Sequence, residues 1–121
     1  MQKRNIVHFE IPAKDRDVSA RFFQDVFGWR FEHAQQPAPY TMIETGNLGG
    51  GLPDLQDFYQ PGQVILYVDS DDLQADLKAI EAHGGKALSS PFSVGEFGEM
   101  AFFADPAGNR LALWRTLQPG G

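Results

Sequence analysis

His8 and Glu10 stand two residues apart in the run Asn5-Ile6-Val7-His8-Phe9-Glu10-Ile11, where polar and apolar residues alternate. In an extended strand such residues project from one face, so an imidazole and a carboxylate would point together into whatever that face meets. An imidazole titrates near neutral pH and can act as base, hydrogen-bond partner or metal ligand. Glu44 takes a similar polar position in Tyr40-Thr41-Met42-Ile43-Glu44. Two carboxylates facing each other across a closed cavity could form an acid–base pair, although a solvated rim is the plainer reading of both. Cysteine is absent, which removes disulfides, thiol nucleophiles and thiolate metal sites. Ser89, Ser90 and Ser93 lack the G-x-S-x-G setting of an activated nucleophile. His83, just before Gly84, suits the C-terminal end of a helix dipole and needs no functional role.

The elements that would position these groups follow from periodicity. Residues 5–11 read as a strand with Val7, Phe9 and Ile11 on its packed side, ended by Pro12. Asp15 or Asp17 can cap a following helix, and Val18, Phe22 and Val26, with Phe23 beside them, predict its apolar stripe. Gly28 closes that helix, and Trp29–Phe31 opens the next strand. Gln35–Pro39 is a turn, 40–44 a strand, and Leu48-Gly49-Gly50-Gly51-Leu52 a strand weakened by three glycines, whose missing side chains would leave room on the sheet face. Residues 53–62, with two prolines, form the best internal boundary. Strand 63–69 follows, with Val64, Leu66 and Val68 toward a helix and Ile65 and Tyr67 opposite. Ser70 is the expected cap of a helix whose stripe is Leu73, Leu77 and Ile80, with Gly84-Gly85 ending it. Strands at 86–90, 98–104 and 110–116 complete the chain, the last two joined by the turn Asp105-Pro106-Ala107-Gly108-Asn109. The tail 118–121 is expected to fray.

Sliding the chain over itself by 57 residues puts Val7, Phe9 and Ile11 on Val64, Leu66 and Val68, Asp15 on Asp72, Phe23 on Ile80, Gly28 on Gly85 and Phe31 on Leu88. The order strand, acidic helix start, buried helix position, glycine stop and strand therefore occurs twice. His8 falls on Ile65, so a side chain able to bind metal occurs in the first copy and not in the second. The expected organisation is one domain over residues 1–121: module 1 at about 5–52, a linker at 53–62, and module 2 at about 63–116.

Composition narrows the function classes. The formal net charge of −6 argues against nucleic acid, whose binding relies on Lys and Arg neutralising phosphates. No polybasic segment is available for an anionic membrane, and no stretch approaches the roughly 20 apolar residues of a membrane helix. The short, interrupted apolar run near the start does not read as a signal peptide, so a cytoplasmic location is expected. A hydrophobic content of 42%, with ten Phe, predicts a packed interior.

Three segments carry a resemblance: HFEIPAKDRDVSARFFQDVFGWRF, VDSDDLQADLKAIEAHGGK and FFADPAGNRLALW. In this order, over essentially residues 5–116, the chain resembles the vicinal-oxygen-chelate superfamily (the glyoxalase, bleomycin-resistance and extradiol-dioxygenase proteins) and looks closest to its small glyoxalase-like members. The resemblance implies an α+β fold in which two tandem βαβββ modules form a curved mixed β-sheet with the helices outside and the concave face toward a ligand. Metal-dependent members place His, Glu or Gln on the first and last strands of each module. Carried over here, His8 matches the first position, while the others fall near Gly49, Gly50 and Gly51, on Ile65 and on Ala112. Ile, Ala and Gly offer no lone pair, and metal sites generally use three or more protein ligands. No cofactor is expected.

The leading expectation is a small-molecule-binding protein of this fold without a complete metal site, of the sequestration or resistance type. Its expected ligand, aromatic or apolar, would meet His8, Glu10, Glu44, Gly50, Tyr67, Phe102, Ala112 and Trp114. The alternative is a metal-dependent glyoxalase, lyase or dioxygenase-type enzyme using His8 with noncanonical carboxylates. A third reading has the concave face closed by a second subunit. The expected partners are a small organic ligand and a second copy of the chain.

Overall fold

The computed structural model describes residues 3–35 and 39–117. The Pro37 part of the expected turn and the tail from Gln118 lie outside the described residues. The chain forms two compact units, one spanning His8–Ile65 and the other built from Leu66 onward together with the residues up to Val7.

The first unit contains β1 (Ile6–Glu10), whose first two residues are assigned to the other unit, then α1 (Arg16–Phe27), β2 (Arg30–Ala34), β3 (Tyr40–Glu44) and β4 (Gly49–Leu52). Its strands run in the order β2-β3-β4-β1, antiparallel except for the parallel β1–β4 pair, which aligns Phe9 with Gly50 and Glu10 with Gly51. Asp15 caps α1 by accepting from the amides of Asp17 and Val18, and Gly28 ends it at φ 73°. That positive φ is why the helix stops at glycine.

The expected apolar stripe of α1 is not its buried face. Val18, Phe22 and Val26 are 66%, 56% and 57% exposed, whereas Ala20 is buried and Phe23 packs on the same core. Phe23 stacks on Trp29 with ring centroids 5.2 Å apart and lies near Ile43, Leu52 and Phe9 in one cluster. The cause is geometric. Small Ala20 lets the helix approach the sheet, and the large ring three positions on fills the gap, so the helix turns this side inward.

The second unit contains β5 (Ile65–Asp69, Ile65 being assigned to the first unit), α2 (Leu73–Ala82), β6 (Lys86–Ala87), β7 (Phe92–Val94), β8 (Gly98–Ala104) and β9 (Arg110–Thr116). Its order is β5-β9-β8-β6, again with a parallel first pair, β5–β9, and with β7 added on β8. The two units thus repeat one strand arrangement, with one extra short strand in the second. Leu73, Leu77 and Ile80 pack on Ala101, Leu113, Val68 and Phe103, as the periodicity predicts. Val64 and Leu66, expected on the packed side, are exposed. The helix cap is Asp72, not Ser70; Ser70 instead donates to Asp76 at 2.5 Å and accepts from the Asp72 amide. Arg4 holds the same Asp76 through two contacts of 2.8 and 3.1 Å, which tie the N-terminal residues to α2. Among the described residues no helix is long and apolar enough to cross a membrane.

Candidate functional site

β1 alternates as expected: Phe9 faces the α1 core, and His8 and Glu10 share the other side. The residue that joins them is Tyr40, the first of β3. Its hydroxyl donates to Glu10 Oε2 at 2.6 Å and lies 3.0 Å from His8 Nε2. One phenol carries one proton. With that proton directed at the carboxylate, the hydrogen-bond pattern assigns the His8 proton to Nε2, which donates to the Tyr40 oxygen. The rings of His8 and Tyr40 lie 6.4 Å apart at 25°.

Burial sets the electrostatics of this chain of groups. Glu10 is 4% exposed. Burial lowers the His8 pKa to about 4, so the imidazole is neutral at pH 7. Burial, reinforced by the negative charge of Glu10 and the hydrogen bond to it, pushes the Tyr40 hydroxyl well above its ordinary range. Tyr40 therefore stays protonated and stays a donor. A carboxylate removed from water is costly unless it is hydrogen-bonded, and the Tyr40 contact supplies one such bond.

The triple glycine of β4 belongs to this arrangement. A Cβ on Gly51 would overlap the hydroxyl and ring of Tyr40, so only glycine lets that side chain cross to Glu10. A Cβ on Gly50 would lie 2.6 Å from two ring atoms of Phe9 and 2.7 Å from its carbonyl oxygen. The room left by the missing side chains is thus taken by Tyr40 over Gly51 and by Phe9 over Gly50. Glu44 shares the Tyr40 side of β3 by strand parity, but it is exposed at the far end of the strand, opposite Arg30 and Gly49. Sequence reasoning missed Tyr40. Its only signal was parity with Glu44, and the contact with Glu10 depends on a register across three strands.

In the second unit Tyr67, Phe102, Ala112 and Trp114 do come together, on the side of the sheet away from α2. Tyr67 is paired with Ala112, and Ala112 with Phe102, while Met100 faces Trp114. Tyr67 and Trp114 meet edge to face at 6.4 Å, the Tyr67 hydroxyl points to the Met100 sulfur at 3.8 Å, and Phe92 of β7 lies 6.0 Å from Phe102. Tyr67, Met100, Phe102 and Ala112 are all at most 5% exposed, with Trp114 half-buried at their edge. This is a densely packed aromatic layer. A shallow depression of about 340 Å³ lies elsewhere, between α2 and residues 87–91, and none of the positions chosen from sequence lines it.

The donor set does not fit a divalent ion. Of the positions carried over from metal-dependent members, His8 alone has a ligating side chain, beside Ile65, Ala112 and the glycines. His8 and Glu10 are bridged by a phenol rather than directed at a common point. Among the described residues no group of three or more His, Cys, Asp or Glu side chains could hold a metal.

Comparison with known proteins agrees with this fold. Residues 5–46 match the Bleomycin resistance protein-like N-terminal family. A glyoxylase-like domain-containing protein of Didymella fabae is 34% identical over 113 residues, covering 86% of this chain and 88% of the relative. The anthracycline biosynthesis protein DnrV of Streptomyces peucetius is 30% identical over 88% of this chain, which spans 45% of DnrV. A superfamily member from Vibrio splendidus 12B01 superposes with a TM-score of 0.67 at 16% identity, covering 93% of this chain and 99% of that structure; at that identity the likeness concerns the fold. The chain belongs to the glyoxalase, bleomycin-resistance and extradiol-dioxygenase superfamily, as a small glyoxalase-like member with its α+β fold.

Proposed function

We propose that this protein binds a small organic molecule and that His8, held by Tyr40 and Glu10, gives the ligand its polar anchor. The observation that carries the reading is the half-buried His8–Tyr40–Glu10 chain, anchored on a buried Glu10. Burying a carboxylate and two further polar groups opposes folding unless each is paired, and such chains fix one geometry. The strand beside it gives up a side chain at Gly51 to admit the Tyr40 ring. A neutral imidazole of fixed orientation, its one proton committed to Tyr40, suits a hydrogen-bond donor such as a hydroxyl or amide N–H on the ligand rather than a carbonyl or a charged group. The remainder of the affinity would come from apolar area, at about 25 cal/mol per Å² before ordering costs.

A second reading, proton transfer on a bound substrate, draws on the same 2.6 Å contact, since a phenol between an imidazole and a carboxylate can relay a proton. One experiment separates the two. Purified protein is screened by thermal shift and calorimetry against hydroxylated aromatic compounds, with and without EDTA; one relative's name makes an anthracycline a natural member of the panel. Each bound compound is then recovered and analysed by mass spectrometry. Binding that is insensitive to EDTA, weakened in His8→Ala, and followed by unchanged recovery supports the binding reading. Altered compound supports proton transfer. Binding that His8→Ala leaves untouched would sink both.

A further inference from the structure

The depression between α2 and residues 87–91 is made by a break in the sheet edge, and we infer that it binds a free α-amino acid with an apolar side chain. Ala87 pairs with Phe103 and Phe92 with Met100, so the four residues Leu88–Pro91 run opposite only two, Ala101 and Phe102. The surplus is taken up as a bulge. The amides of Leu88 and Ser89 both donate to the Phe102 carbonyl, at 2.9 and 3.3 Å, and the Ser89 hydroxyl accepts from the Phe102 amide at 2.9 Å. Bulges at a sheet edge bend the chain and re-aim side chains, and they recur beside functional sites. Here the bulged segment leaves about 340 Å³ between itself and α2, at the lower end of the range for small-molecule sites.

The lining specifies the chemistry of the ligand. Leu77, Ala87 and Pro91 give it an apolar part, while Lys78 and Glu81 place one charge of each sign on the same side of α2, three residues apart. Glu81 accepts from the Ala87 amide at 2.9 Å, which holds its carboxylate beside the depression. Among the described residues neither Lys78 nor Glu81 makes an ion pair. An unpaired cation beside an unpaired anion suits a molecule that carries both charges. A simple carboxylate would be repelled by Glu81 and a simple amine by Lys78, and a phosphorylated ligand would fare worse beside Glu81 in a chain of net charge −6. The ammonium of an amino acid goes to Glu81 and its carboxylate to Lys78, with the Ser90 hydroxyl as a further donor. Its side chain covers Leu77, Ala87 and Pro91. Because Lys78 and Glu81 are exposed, their ionic contacts are weak, and the affinity is low, with a Kd of about 1 mM. The site uses none of His8, Tyr40 and Glu10.

Free leucine and three truncated probes test this on the whole chain by amide NMR. 4-Methylpentanoate lacks the ammonium, 3-methylbutylamine lacks the carboxylate, and free alanine lacks the apolar body. Leucine should shift the amides of Leu77, Ala87, Ser89 and Ser90 saturably with a Kd of about 1 mM, and each truncated probe should bind at least about fivefold more weakly. Glu81→Gln removes the charge and keeps an acceptor for the Ala87 amide. It should weaken leucine about fivefold and strengthen 4-methylpentanoate about threefold, opposite changes that a damaged fold would not produce. Lys78→Gln should weaken leucine about fivefold and strengthen 3-methylbutylamine about threefold, for the mirror-image reason. The inference is overturned by the absence of saturable shifts up to about 50 mM leucine, or by shifts centred away from these residues. A truncated probe that binds as tightly as leucine, or leucine and 4-methylpentanoate changing in the same direction in Glu81→Gln, would overturn it equally.

Discussion

Replacing Tyr40 with Phe removes one oxygen and leaves the ring that fills the space over Gly51. The packing cost is small, and the measured change reports the hydrogen bonds. Two are lost: the 2.6 Å bond donated to Glu10 and the 3.0 Å bond with His8. A hydrogen bond to a charged group contributes roughly 1.5–3 kcal/mol, and stranding a buried ionised group costs more. With Glu10 only 4% exposed, we expect a loss of about 3 kcal/mol at pH 7, or about 10 °C in Tm for a domain of this size. Glu10→Gln keeps an acceptor for the phenol and should cost only about 1 kcal/mol. The double variant should then cost less than the sum of the singles, because the two groups interact directly. Urea denaturation of the four proteins, with coincident fluorescence and circular dichroism transitions, gives the cycle. A Tyr40→Phe loss under about 0.5 kcal/mol, or strict additivity, would refute the stabilising role of the Tyr40–Glu10 hydrogen bond.

Other outcomes follow from the same geometry. Because burial lowers the folded pKa of His8 to about 4 against 6.5 in the unfolded chain, its contribution to stability is full above pH 6.5 and is lost as pH falls toward 4, by at most about 3 kcal/mol. In NMR titration its ring should show a midpoint near 4, and a midpoint near 6.5 would contradict the burial. Gly51→Ala should destabilise by about 2 kcal/mol or more through its clash with Tyr40, and Tyr40→Ala in the same chain should remove most of that added penalty, as thermal melts would show. Gly28→Ala meets open space and should lose only about 1 kcal/mol, the cost of a positive φ without glycine. Phe23→Ala should cost about 2–3 kcal/mol in urea titrations, since its ring stacks on Trp29 within the first core.

Much of the fold was legible because its signals are local. Alternation placed β3 at 40–44 and the final strands at 98–104 and 110–116, with the bounds later observed. Gly28 closes α1, and Asp105 folds the final turn by accepting from Ala107 and Asn109. Where two local choices competed, the sequence misled. Ser70 and Asp72 could both cap α2, and Ser70 was drawn instead to Asp76. The expected strand at 86–90 shrank to Lys86–Ala87, and Phe92–Val94 formed a separate short strand beyond Pro91.

By itself the sequence determined that the chain repeats one strand–helix–strand pattern, that His8 has no ligating counterpart at Ile65 or Ala112, and that aromatic residues share one side of the later strands. Those properties depend on residue type and on spacing within a few positions. Only the tertiary structure decided which side of α1 is buried and which residue joins His8 to Glu10. Helical periodicity defines a stripe, but the shape of the facing sheet selects the rotation. Tyr40 reaches Glu10, thirty residues away, only because β3, β4 and β1 pair in one register with a glycine at the crossing point. Long-range register leaves no mark in any single segment, so the site had to await the fold.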